Sequence, residues 1–467
     1  MRLVWFKNDL RLTDNPALSA ASESGAPLLL LYVLDARAGA ASRWWLHYSL
    51  RSLARDIAAR GGQLVLRQGD PVEIITRLVG EQQITQVHTC RAYEPFWRQT
   101  DRRLDESLKM LGCALYRHLS TSLFAPERIT TKNGKLFGVY TPFAKACFEA
   151  GIPAGPLSAP KALPGPEVAS DDLATWALLP TKPDWAGGLR AEWTPGETGA
   201  QARLEAFLAG PVHHYGEARD FPAQSGTSKL APHIHFGEIS PRLVWQRARA
   251  EGNGEGVETF LKELLWREFS LTQLWQHPTL RTAPIREMFR DFNWKNNEAQ
   301  LSAWQRGQTG IPIVDAGMRE LWQTGWMHNR VRMICASYLV KHLLIPWQAG
   351  EQWFWETLCE ADEAANGASW QWVAGCGADA APYFRIFNPV LQGQKFDPEG
   401  AYVRRFVPEI AKLPQTYIHT PWEAPSVLRA QFNYPPPLIL PADGRQAALD
   451  AYARMQDTAR RSSPLPC

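Results

Sequence analysis

LVWF at Leu3–Phe6 and LLLLYVL at Leu28–Leu34 decide the fold of the first third of the chain. Each is an apolar run of strand length. Working outward, Leu64–Arg67 and Gln86–Thr89 read as further strands. The stretches between them, Trp44–Arg60 and Pro71–Glu81, have the amphipathic spacing of helices. Strands that alternate with helices predict a parallel, doubly wound α/β sheet over residues 1–130. Such sheets take ligands at the C-terminal ends of their strands. No GxGxxG follows the first strand and no GxxxxGK[ST] occurs, so neither standard phosphate loop is present.

Residues 131–199 change character. Eight prolines from Pro153 to Pro195, interspersed with Gly and Ala, read as an interdomain linker, while Trp176, Trp185 and Trp193 require it to pack against something. Residues 200–467 turn helical. Apolar residues recur at helical spacing over Ala202–Leu208, Leu243–Ala250, Val257–Trp275, Gly317–Trp322, His328–Leu344 and Gln352–Glu360. This half is expected to be all-helical.

At 467 residues, 45% hydrophobic and 21% charged, the chain is globular and large enough for more than one core. Its net charge of +3 excludes a polybasic protein, so any nucleic acid must meet a local patch. The seven cysteines, Cys90 to Cys467, are odd in number and form no CxxC pair, which points to reduced thiols and a cytoplasmic protein. The N-terminus lacks a signal-peptide run, and no apolar stretch is long enough to span a membrane. His213, His214, His233 and His235 have no carboxylate at metal-ligand spacing, so no metal site is expected.

Tryptophan is the outlier. Of 20 residues, twelve lie between Trp245 and Trp372. A helical core can use Trp as filler, but its buried N–H demands a partner. Stacking of planar ligands and electron transfer between indoles are the two functions that would select so many.

Several blocks then become specific. LVWFKNDLRLTDNPAL (Leu3–Leu18), RDFPAQSGTSKLAPHIHFGEISPR (Arg219–Arg242), ELLWREF (Glu263–Phe269), GIPIVDAGMRELWQTGWMHNRVRM (Gly310–Met333) and the run from Asn366 to Arg405 resemble, in order, the photolyase/cryptochrome family. The wording is most similar to microbial enzymes that repair cyclobutane pyrimidine dimers. The resemblance implies light-driven electron transfer from fully reduced FAD to a dimer flipped out of UV-damaged DNA, with the protein acting as a monomer. It places FAD on Tyr215, Thr227, Ser228, Lys229, Leu230, Arg267, Asn329, Arg332, Glu360, Asp362 and Asn366. The SGTSKL turn suits a pyrophosphate, with its hydroxyls, backbone N–H groups and cation. Asp362 would accept from ribose hydroxyls and Arg332 would face the anionic flavin. Glu360 stands where the family usually has Asp, paired with the Arg matched by Arg332.

Asn366 matches the position facing flavin N5, where plant cryptochromes carry Asp and many animal ones Cys; a neutral amide favours repair over signalling. Glu263 and Trp266, three apart on one helix, would meet the dimer together with Trp372. Asn329 and Met333 replace the two His of enzymes acting on (6-4) photoproducts. Cleavage of a cyclobutane dimer needs no such proton shuttle. Glu263, Asn329 and Asn366 are therefore the expected catalytic residues. Trp370, Trp347 and Trp294 match the family's electron chain. Arg219 and Arg330 are expected at DNA, with Arg385, Lys395 and Arg404 in the same neighbourhood. Tyr93–Glu94 resembles an antenna-contacting segment, but Leu280 and Arg281 stand where one type of folate-binding relative has Cys and Lys. The second chromophore stays open between a folate, a deazaflavin and none. Two alternatives remain: a cryptochrome-type photoreceptor without repair, and a flavin electron carrier with no affinity for damaged DNA.

Overall fold

The computed structural model describes residues 1–152, 155–380, 382–383 and 385–462, without side chains for 459, 461 and 462. Pro153 and Cys467 lie outside the described residues. Two compact units emerge. The first comprises residues 1–216, 227–278 and 359–362; the second comprises 217–226, 279–358 and 363 onward.

In the first unit, five parallel strands lie in the order β3-β2-β1-β4-β5: β1 (Arg2–Phe6), β2 (Leu28–Val33), β3 (Leu64–Arg67), β4 (Gln86–Cys90) and β5 (Ala114–His118). Val4 is in register with Leu30 on one side and His88 on the other. The crossovers are α1 (Pro16–Ser22), α2 (Ala40–Ala58), α3 (Pro71–Glu81) and α4 (Pro95–Met110). Three of these helices carry Pro in the first turn, where its missing N–H costs nothing, and Asn15 and Asp70 cap α1 and α3 with their side chains. Every residue of β2 is buried, as a central parallel strand requires. β5 carries no apolar run and has no fully buried residue. That explains its absence from the sequence reading.

The proline-rich segment is pinned to this sheet. Leu28 N donates to Pro164 O at 2.8 Å, Leu163 N to Arg60 O at 2.9 Å, and Asp171 N to Leu66 O at 3.0 Å. Gln63 exchanges two hydrogen bonds with the Val168 backbone. A Cβ on Gly165 would sit 2.0 Å from Leu28 O, so only glycine permits this approach. Trp176 and Trp193 are buried, Trp193 with its ring centroid 5.2 Å from that of Trp45. The same unit contains α5 (Tyr140–Ala150), α6 (Glu197–Leu208), α7 (Pro241–Ala250) and α8 (Glu255–Gln276), which share a core of Leu204, Phe207, Phe260, Leu264 and Phe269.

The second unit is helical: α9 (Pro312–Thr324), α10 (Asn329–Ser337), α11 (Trp347–Thr357), α12 (Glu363–Ala374) and α13 (Pro441–Ser462) are its longer helices. The run expected over His328–Leu344 is divided. His328 accepts from Arg330 N as the cap of α10, a π-turn follows at Tyr338–His342, and Leu344 adopts a left-handed φ of 57° that ends it. The helix expected over Gln352–Glu360 instead begins after Pro346 and stops where Leu358 becomes extended. The six described cysteines are buried and unbridged, and no described helix is long and apolar enough to cross a membrane.

Candidate flavin and lesion site

Helix α8 presents the first set of expected residues. Glu255 and Glu258 in its opening turn favour the positive end of the helix dipole. Leu261, Leu264, Leu265 and Phe269 bury one stripe, while Glu263, Trp266 and Arg267 stay half-exposed. Trp266 is stacked face to face on Tyr140, ring centroids 3.6 Å apart and planes 6° from parallel, and its edge meets Phe269 at 5.8 Å. Arg267 donates from Nη1 to Thr121 O at 2.7 Å. Beside it Glu268 is buried, accepting from the N–H groups of Leu123 and Phe124 at 3.0 and 3.1 Å. Burial pushes Glu268 up to about 7, against the opposing pull of Arg267 and these two N–H groups.

Tyr215 is buried with its ring edge-on to Phe207 and Phe260. Leu230 is buried and the hydroxyl of Ser228 accepts from its N–H at 3.4 Å, leaving Thr227 half-buried on the same turn. Lys229 holds a left-handed φ of 50° and its Nζ lies 2.6 Å from Glu192 Oε1. Its charge is thus already countered, and an anion reaching this turn competes with Glu192. The segment Cys359–Asp362 is tied to α2 by Ser42 Oγ, which donates to Cys359 O at 3.0 Å. Glu360 is buried on it. Asp362 Oδ2 lies 3.7 Å from His235 Nδ1. Burial, and then repulsion from Asp362, raise the carboxyl of Glu94 above its usual range. Tyr93, next to Glu94, is buried and accepts from Ser122 Oγ at 3.2 Å.

In the second unit the geometry is sharpest at Asn366, buried on α12. Its Nδ2 donates to Glu351 O at 3.0 Å and to Glu351 Oε1 at 2.8 Å. Glu351 is held in turn by Arg281, Nε to Oε1 at 2.6 Å and Nη2 to Oε2 at 3.2 Å, and the guanidinium lies 3.6 Å over Trp355. Both amide hydrogens are therefore spoken for, and Asn366 can offer only its carbonyl oxygen, an acceptor. Sequence reasoning missed Glu351 because no local motif marks it; it meets Asn366 only through the packing of α11 on α12. Arg281, which stands where one type of folate-binding relative has Lys, is engaged in this network.

Asn329 is exposed at the start of α10, and Arg332 and Met333 are half-buried on the same helix. Arg332 Nε donates to Met327 O at 2.7 Å. Arg330 pairs with Asp220 at 2.7 Å and lies 4.4 Å over Phe396. His328 is pushed down to about 4, chiefly by burial, with Arg332, Arg330 and Arg219 adding to it against Asp220. Arg219 is half-exposed, whereas Arg385 and Lys395 are exposed. Arg404 is spent on the backbone: its guanidinium donates to the carbonyls of Ala411, Leu413 and Glu399.

Trp370 is buried on α12 and Trp347 opens α11, also buried; Trp294 is half-buried, 4.3 Å from Phe292, and Trp372 is half-buried on α12. Among the described residues no ring contact joins Trp370, Trp347 and Trp294 to one another. The neighbours of Trp370 are Phe354 at 5.0 Å and Trp304 at 6.2 Å, both edge-on. Trp304 is fully buried there with Nε1 donating to Cys335 O at 3.0 Å.

The Asn366 carbonyl is an acceptor of the kind a reduced flavin would need. A ring N–H needs an acceptor, and Asn366 is oriented so that it can be nothing else. A parallel α/β sheet, a tryptophan-rich helical unit and a fixed amide acceptor agree with what the sequence resemblance implies. A family model described as DNA photolyase matches residues 2–164, and one described as the FAD binding domain of DNA photolyase matches residues 260–454. The chain belongs to the photolyase/cryptochrome family. It is 46% identical, over 98% of both chains, to a deoxyribodipyrimidine photo-lyase of Agrobacterium fabrum. A solved bacterial class III photolyase from Agrobacterium tumefaciens is similar with a TM-score of 0.95, 46% identity and 98% of each chain covered. Cryptochrome-1 of Arabidopsis thaliana is 36% identical over 94% of this chain and 68% of that protein.

Proposed function

We infer that this protein is a deoxyribodipyrimidine photo-lyase that uses blue light to split cyclobutane pyrimidine dimers in UV-damaged DNA. The observation that carries the reading is the fixed Asn366 amide, in a chain that is 46% identical over nearly its full length to a photo-lyase. Bound FAD in its fully reduced form supplies the photoexcited electron. The protein's own residues do the rest. Tyr215, Thr227, Ser228, Lys229, Leu230, Arg267, Arg332, Glu360 and Asp362 hold the cofactor. Asn366, locked by Glu351, accepts a hydrogen bond without offering a labile proton. Trp266 and Trp372 pack against the bases of the flipped-out dimer, Asn329 and Met333 line it, and Glu263 hydrogen-bonds it. Trp370, Trp347 and Trp294 relay electrons inward, and Arg219 and Arg330 meet phosphates, which position the duplex without reading its sequence.

The proposal extends to organisation: residues 1–130 as an antenna domain for a folate, a deazaflavin or no second chromophore, 131–199 as linker, and 200–467 as the FAD domain. The protein acts as a cytoplasmic monomer. UV-irradiated oligo-thymidine exposed to the reduced holoprotein under blue light tests the whole reading. Recovery of thymine absorbance is expected. A flavin spectrum with no recovery would favour the cryptochrome-type photoreceptor instead, and failure to bind the damaged DNA would favour an electron carrier.

A further inference from the structure

Trp266 has more built around it than a packing role requires. One face of its indole is covered by Tyr140 at 3.6 Å and 6°, and its edge is blocked by Phe269 at 82°. The tyrosine is itself fastened. Its hydroxyl donates to Lys262 O at 2.6 Å, one helical turn before Trp266 on α8. The chain leading into Tyr140 is fastened to the same helix, because Gln273 Nε2 and Gln276 Nε2 both donate to Phe137 O, at 3.0 and 3.4 Å. Tyr140 opens α5, whose Phe143 packs against Phe269 at 5.4 Å. Four attachments to α8 thus hold one aromatic ring flat against a half-exposed tryptophan.

We propose that Tyr140 is a positioning residue of the lesion site: it holds the Trp266 indole so that one face alone is offered to a planar base. This rests on the reading that Trp266 packs against the dimer. A base arriving at that face completes a three-layer column of phenol, indole and pyrimidine. Without Tyr140 the indole gains rotamer freedom that must be lost again on binding, so the effect falls on affinity for the lesion and not on cleavage within the complex.

Holoprotein variants Tyr140→Phe, Tyr140→Leu and Trp266→Ala, matched for FAD content and melting temperature, test this with UV-irradiated oligo-thymidine. Tyr140→Leu is expected to weaken binding by about two- to tenfold, the worth of one aromatic pair. The repair yield per absorbed photon at saturating DNA should stay unchanged. Tyr140→Phe keeps the ring and should restore most of the affinity. The double variant Tyr140→Leu/Trp266→Ala should bind no worse than Trp266→Ala alone, because the tyrosine acts only through the indole. Wild-type affinity in Tyr140→Leu, or an additive double variant, overturns the proposal. Wild-type affinity in Trp266→Ala overturns the underlying reading of Trp266.

Discussion

Gly350 lies on α11, and a Cβ there would fall 2.1 Å from Trp370 Cη2, 2.5 Å from Cζ3 and 2.7 Å from Leu339 Cδ2. Two effects oppose each other in Gly350→Ala. Alanine in a helix is favoured over glycine by about 1 kcal/mol. Against that, carbon atoms pack at about 3.5–4.0 Å, so the new methyl overlaps the indole by roughly 1.5 Å. Relief requires Trp370 to retreat, yet it is 2% exposed, with Phe354 and Trp304 edge-on to it, and Trp304 is anchored to Cys335 O. Overpacking of this kind costs about 1–3 kcal/mol, and the immobility of the neighbours puts this case at the upper end. The clash should win, for a net loss of about 1–2 kcal/mol once the helix gain is subtracted. Urea unfolding should show a lower midpoint at unchanged slope. Displacing Trp370 should also slow blue-light reduction of oxidised flavin, while protein reduced chemically beforehand repairs DNA at the wild-type rate. An alanine variant that is more stable than wild type would show that propensity outweighs contact here. That outcome would refute the picture of an indole clamped on every side.

Glu351→Ala removes the partner of both Arg281 and the Asn366 amide; because Arg281 is 23% exposed and can rehydrate, the loss should be about 1–3 kcal/mol, and flavin retention on gel filtration should fall, whereas unchanged retention would mean the amide is held by another group. Glu268→Gln tests the raised carboxyl. Between the usual carboxylate value and about 7 the unfolded chain has lost this proton and the folded chain keeps it, so wild-type stability falls as pH rises through that window. The total is about 3 kcal/mol. The glutamine variant mimics the protonated form and should match wild type near pH 4, then gain on it up to pH 7; parallel stability curves would refute the shift. Arg404→Ala should destabilise the protein by about 1–3 kcal/mol by orphaning three carbonyls, while leaving affinity for DNA and its salt dependence unchanged. Arg330→Ala should flatten the salt slope by about one unit.

What was legible in the sequence depended on whether a neighbour in the chain or a neighbour in space decided the outcome. Four of the five strands were legible, β2 most clearly because burial on both faces demands an unbroken apolar run, whereas β5 has no fully buried residue and makes no such demand. Glu263 and Trp266 could be paired from their spacing on one helix. The proline-rich stretch could be seen to interrupt the two halves, but its hydrogen bonds to β2 and β3 could not be foreseen, because they join residues more than a hundred positions apart.

The same division runs through the candidate site. Asn366 was conspicuous as a residue type, yet its chemistry follows from orientation, and orientation is set by Glu351 and Arg281 on other segments. An amide left free to turn could donate as readily as accept. With both hydrogens taken by Glu351 it can only accept, so the property that suits a protonated ring nitrogen belongs to the network rather than to the asparagine. In the proposed lesion site Trp266 would repeat the pattern with Tyr140 in the place of Glu351: a recognisable residue would be given one working face by a partner whose own position in the sequence carries no mark of the role. Substitutions at Glu351 or Tyr140 should therefore alter the conduct of Asn366 or Trp266 with those two residues intact. A scan limited to residues that touch the cofactor or the lesion would miss both.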